Sequence, residues 1–244
     1  MAEKWYLDQE TIEDTIKPLL KPLSTLANNR GLTLEQVARG VVLQSQCKPT
    51  TRKLTGTFFV VNKNLADVAA QIQQEARVFD YHQIAIPYNL KEESEKALIE
   101  ACAAAGYELA EDMPTATILT KQLTGAAESK ETNGVNFYLI GKEGAITKTV
   151  SKPEWRNPGE DVAGKARMTF SGDRNVVYLD GVEVFEGHQR QGFASALVND
   201  RLKEAETSGA KLAVTIANDQ GIKIYNKRGD FQSKTGIMYF RKSR

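Results

Sequence analysis

Apolar positions recur at helical spacing over residues 8–28 and 33–46, which predicts two N-terminal helices, the second capped by Thr33 with Glu35 and Gln36 in its first turn. The run Asn28-Asn29-Arg30-Gly31 separates them. Thr57-Phe58-Phe59-Val60-Val61 is β-branched and aromatic, so a strand is expected there, followed by a helix over 64–79. Residues 83–87 read as a strand, 92–105 as a helix stopped by Gly106, and 115–123 as a closing strand. The polar, small-residue stretch 124–134 reads as a linker.

Beyond it the period shortens. Residues 137–140 and 145–147 flank Gly141-Lys142-Glu143-Gly144, a hairpin signal, and a polar loop with Trp155 follows over 151–162. Strands are expected at 166–170 and 176–184, then a helix at 195–208, a strand at 211–216, a helix at 220–228 and a last strand at 236–240. The division this suggests is 1–53 as a helical region, 54–124 as a β-α-β-α-β unit and 134–244 as a second domain. Both halves run strand, helix, strand ending in Asn (Asn89, Asn218), helix ending at Gly (Gly106, Gly229) and strand, an order consistent with a tandem duplication.

Composition narrows the picture only slightly. With 244 residues, 41% of them hydrophobic, the chain can bury a substantial core, and no apolar run approaches the ~18 residues of a membrane span. A soluble, cytoplasmic protein is expected; two cysteines, Cys47 and Cys102, are too few for a disulfide framework. The net charge of +1 argues against a general nucleic-acid binder, although residues 134–244 carry 18 Lys+Arg against 13 Asp+Glu. That mild basic bias suits a small polyphosphate ligand.

The richest chemistry lies where the strand at 176–184 gives way to Gln189-Arg190-Gln191-Gly192-Phe193-Ala194 and a helix. A strand-to-helix turn aims backbone N–H groups and a helix N-terminus at one small volume, which favours an anion. Gly192 lets the main chain approach a ligand closely, and Ala194 keeps bulk away from a phosphate.

This hexapeptide resembles the acetyl-CoA motif Gln/Arg-x-x-Gly-x-Gly/Ala of the GNAT superfamily of N-acetyltransferases, and Leu212-Ala213-Val214-Thr215-Ile216, Asn218, Gly221 and Ile224-Tyr225 resemble the family's next strand and helix. The likeness covers about residues 134–244, is strongest from Val176 to Phe231, lacks the family's usual helix pair near its start, and meets an extra residue at Asp230. It implies an α/β (α+β) fold: a mixed, mostly antiparallel sheet flanked by helices, with the N-terminal half as a degenerate copy or a substrate adaptor. It also implies acetyl-CoA as donor and no metal. The donor's pyrophosphate would rest on Gln189, Arg190, Gln191, Gly192, Phe193 and Ala194, with Arg190 and Lys227 adding charge. The pantetheine would pair with the strand through Val182 and Val184, the N–H of Val184 or its neighbour would polarise the acyl carbonyl, and Asn218 would contact pantetheine, hold water or cap its helix.

Tyr225 matches the family's proton donor to the departing thiol. For the base, Tyr178 stands where many members carry Glu, so Asp180, two residues on and on the same face of a regular strand, is the first candidate, beside a water chain. By the same alternation Glu183 points the other way and Glu186 lies in the loop. His188 reads as a solvated loop residue, and His82 lacks a metal partner in the sequence. The acceptor, a protein amine, an aminoacyl-tRNA or a small amine, is left open, as are a homodimer and a non-catalytic acyl-CoA-binding role. Lys234, Arg241, Lys242 and Arg244 are the basis of a nucleic-acid alternative that solvated strand-end charge explains equally well.

Overall fold

The computed structural model describes residues 12–29, 32–37, 40–45, 53–60, 70, 72, 80–89, 92–111, 115–124, 136–140, 145–151, 162–227 and 230–243. The helix expected at 64–79 and the linker and loop expected at 124–134 and 151–162 fall almost wholly outside them. The chain forms two compact units, one of Met1–Lys17, Ala27–Ile118 and Ser233–Arg244, the other of Pro18–Leu26 and Leu119–Gln232. Each unit therefore draws on both halves of the sequence.

A π-helical turn, Ile12–Ile16, runs into helix α1 (Lys17–Asn29). The span expected as a second helix instead forms strands β1 (Leu32–Val37) and β2 (Gly40–Ser45), paired antiparallel from Leu32↔Ser45 to Val37↔Gly40. The β-branched run Val41-Val42 and a glycine at the start of β2 favour a hairpin over the helical spacing read there. Strands β3 (Lys53–Val60) and β4 (Asp80–Asn89) follow, then helix α2 (Glu92–Ala104), which ends before Gly106 at φ +81°. Strand β5 (Tyr107–Leu109) and strand β6 (Thr115–Gln122) complete the first half.

The second half comprises β7 (Asn136–Ile140), β8 (Ala145–Ser151), β9 (Gly164–Phe170), β10 (Val176–Val184), α3 (Phe193–Thr207), β11 (Leu212–Ala217), α4 (Asp219–Asn226) and β12 (Gln232–Lys242). In the first unit β3 and β4 are parallel, and β12, the last strand of the chain, pairs antiparallel with β4 from Thr235↔Asn89 to Arg241↔Gln83. Ile84, Ile86, Leu98, Cys102, Ile237 and Phe240 are buried there.

In the second unit the strand order is β11-β10-β9-β8-β7, antiparallel except for the parallel pair β10 and β11. Alternation along β9 and β10 sorts side chains between two faces. Met168, Phe170, Val177 and Leu179 join Val198, Leu202 and Ala205 of α3 in one core cluster, and Ala166 joins Phe193 and Leu197 in another. Within this unit α1 buries Leu19 and Leu23, one turn apart, while exposed Lys21 reaches Asp173 at 3.7 Å. Hydrogen bonds from Ser171 and then Asn175 hold the Asp173 carboxyl well below the usual carboxylate range.

Candidate functional site

The turn between β10 and α3 bends through three left-handed residues, Gly187 (φ +81°), Arg190 (φ +62°) and Gly192 (φ +88°). Such conformations turn neighbouring N–H groups towards one side and make concave anion-binding nests. The His188 N–H donates to the Phe185 carbonyl at 3.1 Å and the Gln191 side chain to the Gly187 carbonyl at 3.0 Å, which fixes the turn from within. Gly192 is the N-cap of α3, and no side chain caps the helix. A Cβ at Gly192 would meet nothing within 4 Å, so glycine is required there by backbone conformation and not by crowding.

Gln189, Arg190, Gln191 and Gly192 are exposed, as a ligand-binding turn requires. Phe193 is buried with Val150, Ala163, Ala166 and Leu197 and anchors the helix start, so its part in the turn is played by its main chain. The His188 ring stands edge-on to Phe193, its centroid 6.3 Å away.

Two departures from regular pairing shape the neighbouring strands. Strands β10 and β11 pair only at Val176↔Leu212, Val177↔Ala213 and Tyr178↔Val214, and beyond that point each continues without the other, to Val184 and Ala217. The sheet is open there. In the first unit, by contrast, β3 and β4 stay paired as far as Phe59↔Ala85, one residue from the end of β3.

On its other edge β10 carries a bulge. Its pairing with β9 shifts between Asp180↔Arg167 and Glu183↔Lys165, with Gly181 left-handed at φ +61°, the geometry of a glycine-led bulge. Gly164 makes room for it, since a Cβ on Gly164 would lie 2.4 Å from the Glu183 carbonyl oxygen. The extra residue reverses the alternation. Lys165, Arg167 and Thr169 share one face of β9, so their partners Glu183, Asp180 and Tyr178 share that face too. Glu183, expected to point the other way, therefore stands beside Asp180, while Val182 and Val184 pack towards the core.

This face holds two ion pairs, Arg167 Nη2 to Asp180 at 2.8 Å and Lys165 Nζ to Glu183 at 2.9 Å. Asp180 is nearly enclosed, at 11% side-chain exposure, and its carboxylate accepts the Arg167 hydrogen bond. Neither Arg167 nor the reversal at Glu183 was foreseen from the sequence; Gly181 inside an apolar strand was the available signal.

Tyr225 is buried, its ring 4.9 Å from that of Phe231. Burial pushes its hydroxyl up to about 12; a hydrogen bond with Thr215 partly offsets this, and the negative charge of Asp180 adds to it. That coupling links α4, β10 and, through Thr215, the stretch of β11 just past its last pairing with β10. Asn218 is the N-cap of α4, its Oδ1 accepting from the Gly221 N–H at 3.0 Å. Gly221 sits close to the preceding strand: a Cβ there would lie 3.0 Å from Ala217 Cβ, a tight contact. Exposed Lys227 follows as the C-cap of α4. Among the described residues no group of three or more His, Cys, Asp or Glu is placed to hold a metal ion, and no helix is long and apolar enough to cross a membrane.

A left-handed turn ahead of a helix with no side-chain cap thus lies next to two parallel strands that part within a mostly antiparallel sheet. Residues 125–230 match the Acetyltransferase (GNAT) family, a match that supports acyl transfer in general for this segment. The fold agrees. A GCN5-related N-acetyltransferase from Kribbella flavida superposes with a TM-score of 0.59 at 14% identity, covering 91% of this chain and 95% of that one. A putative acetyltransferase of the GNAT family from Novosphingobium aromaticivorans gives 0.52 at 13% identity, covering 93% and 97%. A tandem GNAT protein from the clavulanic acid biosynthesis pathway gives 0.50 at 12%, covering 93% and 94%. No curated protein matches the sequence.

Proposed function

We propose that this protein is an acetyl-CoA-dependent N-acetyltransferase whose donor site is built by β10, the 185–192 turn, α3 and β11, with the first half as a degenerate copy of the same fold. The observation that carries the reading is an uncapped helix N-terminus, led by three left-handed residues, beside strands that part after Tyr178↔Val214. The turn and the first turn of α3 offer N–H donors and the positive end of a helix dipole to a pyrophosphate, and Arg190 adds a full charge. The open edge of β10 offers main-chain groups to the pantetheine, in the manner of an added strand. At the Gly181 bulge, backbone donors face the acyl oxygen as it gains charge.

Transfer forms an amide bond as the thioester bond breaks, so one proton leaves the amine and the thiolate departs with the electron pair. Asp180 takes the amine proton in this reading. Tyr225, held protonated by burial, donates a hydrogen bond to the departing sulfur; with its hydroxyl near 12 it stabilises a thiolate without surrendering its own proton. The enclosure of Tyr225 against Phe231 favours a second reading, a module that binds acyl-CoA without cleaving it.

Free-thiol release from acetyl-CoA across a broad panel of amines separates the two. The transferase reading expects amine-dependent release. Tight binding of acetyl-CoA without release to any amine supports the binding module.

A further inference from the structure

The acceptor can be read from the polar face of β9 and β10, on the reading that this domain transfers an acyl group. Arg167 lies across the bulge itself: a Cβ built on Gly181 would sit 2.9 Å from its Nε, 3.0 Å from Nη2 and 3.3 Å from Cζ. The guanidinium therefore borders the point where the acyl oxygen is to be held. One hydrogen bond commits it to Asp180, while 37% of the side chain remains exposed, and a guanidinium carries five donors in a planar fork suited to a carboxylate.

Next to this cation stands an anion whose charge is felt at Tyr225. The neighbouring Lys165 and Glu183 repeat the arrangement, so the face carries two positive and two negative groups. A polyamine or a lysine-rich tail meets no net attraction on such a face. An α-amino acid does fit, because its amine and carboxylate are separated by a single carbon and match adjacent Asp180 and Arg167.

We propose that the acceptor is a free α-amino acid or a close structural relative, with its amine against Asp180 and its carboxylate on Arg167, which sets specificity. The test uses proteinogenic amino acids paired with their decarboxylated counterparts, such as histidine with histamine, tyrosine with tyramine and lysine with cadaverine, scored by thiol release from acetyl-CoA. At least one amino acid should exceed its partner in kcat/KM by roughly 10- to 100-fold, the value of a charge-assisted hydrogen bond. Arg167→Gln should raise KM for that amino acid more than it lowers kcat and erase the preference, while Arg167→Lys, which keeps the charge and loses the fork, should restore part of it. Calorimetric binding of acetyl-CoA to each variant verifies that the donor site is folded.

Equal or better use of the decarboxylated amines overturns the proposal and leaves the transferase reading standing. So does thiol release with other amines and with no amino acid. Acetyl-CoA that is not bound, or is bound and never cleaved, defeats the transferase reading and this proposal together.

Discussion

Tyr225 is deeply buried, and the proposed reaction puts it beside the departing thiol. Its hydroxyl, pushed up to about 12, stays protonated throughout the physiological range, so the part proposed for it is a hydrogen bond to the leaving sulfur. Tyr225→Phe should lower kcat on the order of tenfold, the worth of one hydrogen bond, and leave acetyl-CoA affinity unchanged. Steady-state kinetics alongside calorimetry measure the two separately; a loss confined to affinity would remove Tyr225 from the chemistry. Tyr225, Gly192 and Asp180 stood out in the sequence because a motif of fixed spacing surrounds two of them and strand alternation points to the third. Arg167 did not, because what marks it is its position over Gly181 across β9 and β10, a long-range pairing that no local pattern encodes.

Elements form where local preference and pairing agree. The strand, helix, strand and helix run of the second half was legible nearly to its ends: the strand expected at 176–184 is Val176–Val184, and the helix expected at 195–208 is Phe193–Thr207. Residues 33–46 read as a helix because apolar positions at that spacing fit either period; the pairing of β1 with β2 decided it. The bulge in β10 is the more consequential omission, since one inserted residue moves Glu183 to the other face. Gly164 is its support. Gly164→Val places a side chain against the Glu183 carbonyl and should destabilise the second unit by about 2 kcal/mol, in the range of overpacked substitutions. Urea denaturation followed by tryptophan fluorescence and far-ultraviolet circular dichroism measures this, and an unchanged midpoint would show that the bulge does not need Gly164.

Across the whole molecule, several buried neutral acids tie stability to pH. Burial raises the hydroxyls of Tyr225 and Tyr239 and the Cys102 thiol to about 12; it also raises Tyr88, where a hydrogen bond and the charge of Glu95 add to it. Each folded value exceeds the unfolded one, so the stability involved is fully present below about pH 9 for the thiol and pH 10 for the phenols. It is lost as pH rises towards about 12, because the unfolded chain releases these protons first. Denaturation midpoints should hold between pH 7 and 8.5 and fall steadily from pH 10 to 11.5; a flat profile would mean these groups are solvated. The interleaving of the units, with β12 closing the first and residues from Leu119 serving the second, was not legible either, since motif order follows the chain and strand exchange does not.

The central claim is that the left-handed turn ahead of α3 holds the pyrophosphate of acetyl-CoA. Titration calorimetry of acetyl-CoA into the wild-type protein and Gly192→Glu tests it most directly, because that substitution imposes backbone strain and adds negative charge where the phosphates are to rest. Saturable binding to the wild type and at least a hundredfold weaker binding to the variant are predicted, about 3 kcal/mol by the usual conversion. Equal affinity of the two proteins for acetyl-CoA would contradict the account.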